Sequence, residues 1–302
     1  MTQTKDTGKK YHEKATGLAL QTAERHRACE HGHRAVRKLF LSLRAACLGT
    51  GYIDLHSLPT IDQIDWVQVA FEYLGIDYQY DEVDPYEKPA DLLEVSPKGL
   101  VPGLRLNAYD PPRALNESTV ILEYLEELAA NETGRSLLPP LSDPYARALV
   151  RLQADHVSRT LVPAFYRFLQ AQDIDRQIEH GKEFHAALED LVKILERTER
   201  ETPSESQPAL GLWKEGGDLG WTDALAGPWL FRATNVLHEY RGFEMPQGTR
   251  FRAWLERLFA HPAFAQTCST RELYIDSYER YAFNRPNTSQ VANAINAGRG
   301  LP

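Results

Sequence analysis

Ser96, Pro97, Lys98, Gly99, Leu100, Val101, Pro102, Gly103, Leu104, Arg105, Leu106 and Asn107 open the stretch whose reading decides the fold. After a polar loop it continues Ala114, Leu115, Asn116, Glu117, Ser118, Thr119, Val120, Ile121, Leu122, Glu123, Tyr124 and Leu125. The first part is a turn feeding a short strand. Pro102 has no amide to give to a ladder, which argues against a central strand position. A cis bond from Val101 to Pro102 accommodates it, because proline tolerates cis at little cost. That leaves the Val101 amide and carbonyl free to pair with an extended peptide, as one more strand would. The second part is a short edge strand, ended by an acid and a hydroxyl that start an amphipathic helix.

A helix N-terminus presents free amides and partial positive charge, so a carboxylate fits there. Ser118 adds a hydroxyl donor and Glu117 can take an ammonium. Three such features together suit a small zwitterionic peptide.

The pattern Leu100-Val101-Pro102-Gly103-Leu104, followed by Glu117-Ser118-Thr119-Val120-Ile121 and Glu123-Tyr124-Leu125, resembles the glutathione-binding half of glutathione S-transferases, in particular omega-like forms from fungi. The resemblance runs from about Trp66 to the end of the chain. It implies an α/β thioredoxin-like domain followed by an all-α helical domain, the glutathione S-transferase fold. It also implies glutathione held by Lys88, Val101, Pro102, Glu117 and Ser118, with Lys88 reaching the glycine carboxylate. Glutathione would be a co-substrate, and no further cofactor is expected.

Working outward, Trp66, Val69, Ala70, Tyr73 and Leu74 fall at helical spacing and Gly75 stops the helix. Ile76 to Val83 alternates as a strand, and Leu39 to Ser42 reads as the first strand. Strand, helix, strand, hairpin and closing helix is the thioredoxin-like order, with the first two strands parallel and the last two antiparallel. Downstream, Asp143 and Pro144 cap a helix whose face is Ala146, Leu149, Val150, Leu152 and Val157. Pro163 should kink it, and Phe165, Tyr166 and Phe168 beyond the kink either wall an apolar pocket or pack in the core. Further helices follow near 178–200, from Gly220-Trp221-Thr222-Asp223, over 252–260 and over 271–281. The domains read as a polar extension (1–36), the thioredoxin-like domain (37–130), the helical domain (142–283) and a polar, extended tail (284–302). The ligand belongs in the crevice between the two domains. His26, His31 and His33 in the extension read as a metal site or, far more simply, as part of a solvated helix or a disordered arm.

The reacting group is less legible. In the resembling family it stands at the start of the first helix, where the helix dipole favours a thiolate. Omega-like members place a cysteine there. Counting forward from Leu39–Ser42 reaches Ala45; counting back from Gly75 reaches Ile61, 16 residues further on. Neither is a cysteine. Cys47 lies near the first anchor, and Ser57 and Thr60 near the second. Three readings stay open: Cys47 as nucleophile in a rearranged loop, a lost activity, or a segment over 41–65 that does not belong to the native chain.

The composition sets outer limits. The 302 residues carry a net charge of −8, which argues against a nucleic-acid binder. Three cysteines, Cys29, Cys47 and Cys268, make no disulfide framework and suit a reducing compartment. Without a membrane-length apolar run or a signal-like start, a cytoplasmic protein is expected. The reading is a glutathione transferase, conjugating glutathione to an apolar electrophile or exchanging thiols with a disulfide. A homodimer is the assembly that the resemblance implies. The alternative is a non-catalytic ligand carrier or regulatory protein on the same fold.

Overall fold

A computed structural model describes residues 14–27, 37–41, 64–82, 89–202, 209–285, 288 and 290–299. The chain starts with helix α1 (Gly17–Arg27), then strand β1 (Arg37–Leu41), α2 (Ile64–Leu74), β2 (Gln79–Glu82), α3 (Ala90–Val95), β3 (Gly103–Leu106), β4 (Arg113–Asn116) and α4 (Ser118–Glu132). The sheet order is β2-β1-β3-β4. β1 and β2 run parallel, while β3 is antiparallel to both β1 and β4. This is the thioredoxin-like arrangement expected from the order of elements.

α2 buries Trp66, Val67, Val69, Ala70, Phe71 and Leu74 and packs against α4. Gly75, at φ +69°, closes it, and the amides of Gly75 and Ile76 both turn back to the Phe71 carbonyl. That left-handed residue is the reason the helix stops where the sequence says it should. The strand after it is shorter than its alternation suggests and begins only at Gln79, although Ile76 and Tyr78 are buried.

The remainder is helical: α5 (Pro144–His156), α6 (Val162–Gln170), α7 (Ile174–Glu201), α8 (Trp221–Arg232), α9 (His238–Arg241), α10 (Thr249–Ala260), α11 (Pro262–Ala265), α12 (Arg271–Ala282) and α13 (Gln290–Asn296). Asp143 caps α5 by accepting the Ala146 amide at 2.9 Å, with Pro144 at the first helical position. Asp173 caps α7, accepting from Asp175 and Arg176. Just before Pro163, α5 and α6 are joined by a π-helical turn, Val157–Leu161, in which the Val162 amide reaches the Val157 carbonyl. Widening the turn just before the proline absorbs the hydrogen bond that it cannot make.

Three expectations change. Leu152 is half exposed, and Gln153 takes the inward place. Its amide bonds Thr198 at 2.8 Å and its carbonyl accepts from the Thr222 hydroxyl, so the buried position is polar but satisfied. Residues 290–296, expected to be extended, form α13, because Ala292 and Ala294 are small enough to bury against α6 and Gln170 donates to the Ala292 carbonyl at 3.1 Å. Finally, part of the N-terminal extension is a docked helix and not a solvated arm. Ala19, Thr22 and Ala23 of α1 are buried.

Candidate functional site

The site is built by the β3–β4 hairpin and the start of α4. Ser96 shapes the entry: its hydroxyl accepts the Leu100 amide at 3.1 Å and its carbonyl accepts the Gly99 amide at 2.7 Å, with Gly99 at φ +63°. This turn delivers Val101 and Pro102, joined by a cis bond, to the head of β3. Sequence reasoning passed over Ser96, although a serine at the head of a Ser-Pro-Lys-Gly turn is the signal for it. Gly103 follows because α3 lies across it; a Cβ there would stand 3.0 Å from Val95 Cγ1.

The ladder then sets the geometry. β3 and β4 pair Gly103 with Asn116, Leu104 with Leu115, Arg105 with Ala114 and Leu106 with Arg113. Gly103 and Asn116 are the last pair at this end of the ladder, so Val101–Pro102 enters the hairpin and Glu117–Ser118 leaves it at the same end. Val101 lies before the first paired residue of β3, so its amide and carbonyl fall outside the β1–β3 pairing. The four residues that the sequence singled out here therefore come together at one end of the sheet.

Glu117 carries an unusual backbone, φ 68° and ψ 115°. A side chain in that region costs about 1–3 kcal/mol and persists where the surroundings over-determine it. The Glu117 side chain is exposed, while Ser118 is buried as the first residue of α4. The Glu117 carbonyl accepts the Ile121 amide at 3.0 Å, so the helix begins at once behind the strained residue. The first-turn amides of α4 lack intrahelical acceptors by construction, and no acidic side chain occupies that first turn. An anionic group meets partial positive charge there.

α4 is anchored from behind. Glu126 is buried and accepts the Leu137 amide at 2.8 Å and the Ser136 hydroxyl. The Leu137 carbonyl in turn accepts the Trp221 amide at 2.8 Å, tying the start of α8 to the segment that follows α4. In α8, Asp223 is buried and accepts the amides of Gly220 and Leu212 at 2.8 Å each, and Trp254 Nε1 at 2.7 Å. Burial pushes its carboxyl up to about 6 against the pull of these donors.

Lys88, Cys47 and Cys29 lie outside the described residues, as do His31 and His33. Cys268 is half-buried between α11 and α12, where its carbonyl accepts the Ala19 amide at 3.3 Å. Among the described residues no group of histidines, cysteines and acids is arranged to hold a metal. His26 is used otherwise, bonded to Glu72 and to the Tyr78 carbonyl. Phe165, Tyr166 and Phe168 are core residues and not walls: Phe165 and Tyr166 pack edge-on against Trp229, and Phe168 against Phe243.

Comparison with known proteins bears on the family and the fold. Residues 64–133 match the family model for the glutathione S-transferase N-terminal domain. The solved structure of glutathione transferase Omega 3C from Trametes versicolor superposes with a TM-score of 0.67 at 30% identity, over 90% of this chain and 98% of that one. The chain belongs to the glutathione S-transferase family. Glutathione S-transferase U2 of Arabidopsis thaliana is 26% identical over 71% of this chain and 87% of its own. A rice transferase, GST1, solved in complex with glutathione, shares the fold at a TM-score of 0.58 and 23% identity, over 82% of this chain and 98% of that one. Among the described residues no helix is long and apolar enough to cross a membrane.

Proposed function

We propose that this transferase-family chain binds glutathione across Val101–Pro102 and Glu117–Ser118 and uses it in conjugation or thiol exchange. The observation that carries the reading is the β3–β4 register. It sets an unpaired backbone segment beside a strained acid and a buried serine at a helix start. The free Val101 backbone takes the peptide as an added strand. The α4 N-terminus and the Ser118 hydroxyl take a carboxylate, Glu117 takes the ammonium, and Lys88 takes the glycine carboxylate.

The second substrate is an apolar electrophile or a disulfide. With Cys47 as nucleophile, its thiolate attacks the glutathione sulfur of a mixed disulfide, forming a Cys47–glutathione disulfide and releasing the other thiol as thiolate; a second glutathione thiolate then restores Cys47 and leaves as glutathione disulfide. With a hydroxyl in that place, the protein stabilises the glutathione thiolate for attack on the electrophile. The absence of a cysteine from both positions where the family's motif is expected supports a second reading, a non-catalytic carrier. Titration calorimetry with glutathione, followed by turnover of a disulfide and of a haloaromatic substrate, separates the three. Exchange lost in Cys47→Ser assigns that residue, and binding without either turnover assigns the carrier. Failure to bind glutathione at millimolar concentration refutes the site.

A cytoplasmic homodimer completes the proposal. Val120 on α4 and Leu152 on α5 are half exposed beside the Glu123–Arg151 ion pair of 2.9 Å, which joins those two helices. Light scattering reads the assembly directly.

A further inference from the structure

α1 touches both halves of the molecule. Its first turns are fixed to the helical half. The Thr16 hydroxyl lies 3.0 Å from that of Thr270, the Ala19 amide reaches the Cys268 carbonyl at 3.3 Å, and the Thr22 hydroxyl donates to the Gln266 carbonyl at 2.9 Å. Its last turn is fixed to the sheet half. Arg25 Nη2 meets Glu72 at 2.8 Å, and the His26 ring stacks on Tyr78 with centroids 4.0 Å apart. The helix packs against β2, an end strand of the sheet.

The grip centres on His26. Its Nε2 lies 2.7 Å from Glu72 Oε1 and its Nδ1 lies 3.1 Å from the Tyr78 carbonyl. Both partners are acceptors. A neutral imidazole has one N–H and can serve only one of them, while the imidazolium serves both. Of the ionisable groups on the packed elements, Glu72 comes from α2, Tyr78 and Tyr80 from the β2 segment, Cys268 from the segment before α12, and Arg25 and Arg27 from α1 itself. Tyr78 donates its hydroxyl to Glu72 at 3.0 Å and Arg27 lies over the Tyr80 ring. Arg25 Nη2 is 3.4 Å from His26 Nε2, and both share the Glu72 carboxylate. Burial raises the Glu72 carboxyl, but the bonds and charge of His26, the charge of Arg25 and the Tyr78 bond outweigh it and leave Glu72 lowered, hence anionic. Burial holds Tyr78 well above its usual range, hence neutral.

We infer that α1 is a pH-gated strap across the two halves of the molecule, latched when His26 is doubly protonated against Glu72 and the Tyr78 carbonyl, and loosened when that proton leaves. The imidazolium bonds both acceptors and the neutral ring only one, so the hold weakens when that proton is lost. Opening would part α1 from β2 and from the helical half.

Two measurements on the full chain test this. The first follows the ring nitrogens of His26 by NMR. Two protonated nitrogens at pH 6 are expected, with one proton lost on raising the pH; a single neutral tautomer at pH 6 overturns the inference. The second follows amide exchange of 17–27, corrected for intrinsic rates. Protection about tenfold higher at pH 6 than at pH 8 is expected, the scale of one charge-assisted hydrogen bond. His26→Gln should remove that pH dependence, and Glu72→Gln should lower protection at pH 6. Equal wild-type protection at both pH values, a pH dependence that survives in His26→Gln, or unchanged protection in Glu72→Gln overturns it.

Discussion

Replacing Glu117 by glycine should push stability and ligand affinity in opposite directions. The residue sits at φ 68° and ψ 115°, where a Cβ is crowded and glycine is not. Removing the side chain relieves about 1–3 kcal/mol of backbone strain. It also gives the unfolded chain more freedom, at a cost of about 0.4–1 kcal/mol. The net is a gain of about 1 kcal/mol. For a chain of this length that corresponds to a rise of roughly 2 °C in Tm. The carboxylate, exposed beside the free Val101 backbone, is meanwhile lost as a partner for an ammonium. A hydrogen bond to a charged group contributes about 1.5–3 kcal/mol, so affinity for glutathione should fall about 10- to 100-fold. Glu117→Ala is the control. It keeps the strain and loses the carboxylate, so affinity should fall equally while Tm does not rise. Calorimetry reads affinity and a thermal scan reads Tm. If both variants retain wild-type affinity, or if Glu117→Gly lowers Tm, the strained acid has no part in holding the ligand and the reasoning fails.

Other outcomes follow from the helical half. The folded Asp223 carboxyl stands at about 6, above its ordinary unfolded value, so its stabilising contribution is full below about pH 4 and is lost as pH rises through 6. Urea unfolding at pH 4 and pH 6.5 should therefore show a fall of about 2 kcal/mol in stability in the wild type that Asp223→Asn lacks. Gly211, at φ +52°, has no room for a Cβ, which would collide with the Asp223 carboxylate; Gly211→Ala should cost about 3 kcal/mol or more in the same assay. Arg241 donates to the carbonyls of Phe168 at 3.1 Å, Ala282 at 2.5 Å and Leu169, tying the last turns of α6 and α12 together. Arg241→Met leaves those carbonyls without their donor and should lower stability by about 2–4 kcal/mol, read by thermal or urea unfolding.

What could be read in advance was local. Gly75 ends α2, and Asp143 with Pro144 starts α5, because a left-handed glycine and an N-cap act within a turn of themselves. The β3–β4–α4 unit was legible for the same reason: proline, acid and hydroxyl stand at its joints. What escaped depends on partners remote in sequence. Leu152 and Gln153 both fit a helical face, and only Thr198 and Thr222, brought in by other helices, make the polar one the buried one. α13 has two small buried alanines and a weak periodicity, so its place is decided by Gln170, 122 residues away. His26 in a run of charges reads as solvated until Glu72 and Tyr78 meet it across 46 and 52 residues.

The division between local and remote also separates binding from chemistry. Every described group proposed to hold the peptide lies in 96–128, and its geometry is set by one hairpin register and one helix start within that stretch. In the proposed reading the reacting thiol or hydroxyl comes from between β1 and α2, where the sequence lacks the expected cysteine. The β3–β4 pairing runs through Gly103–Asn116 to Leu106–Arg113, none of which belongs to that second segment. Glutathione affinity can therefore persist whether or not turnover does, and the two must be measured apart. A chain that binds but does not turn over would place the defect between β1 and α2. A chain that does neither would place it in the hairpin, where Glu117 and Ser118 are the residues to test first.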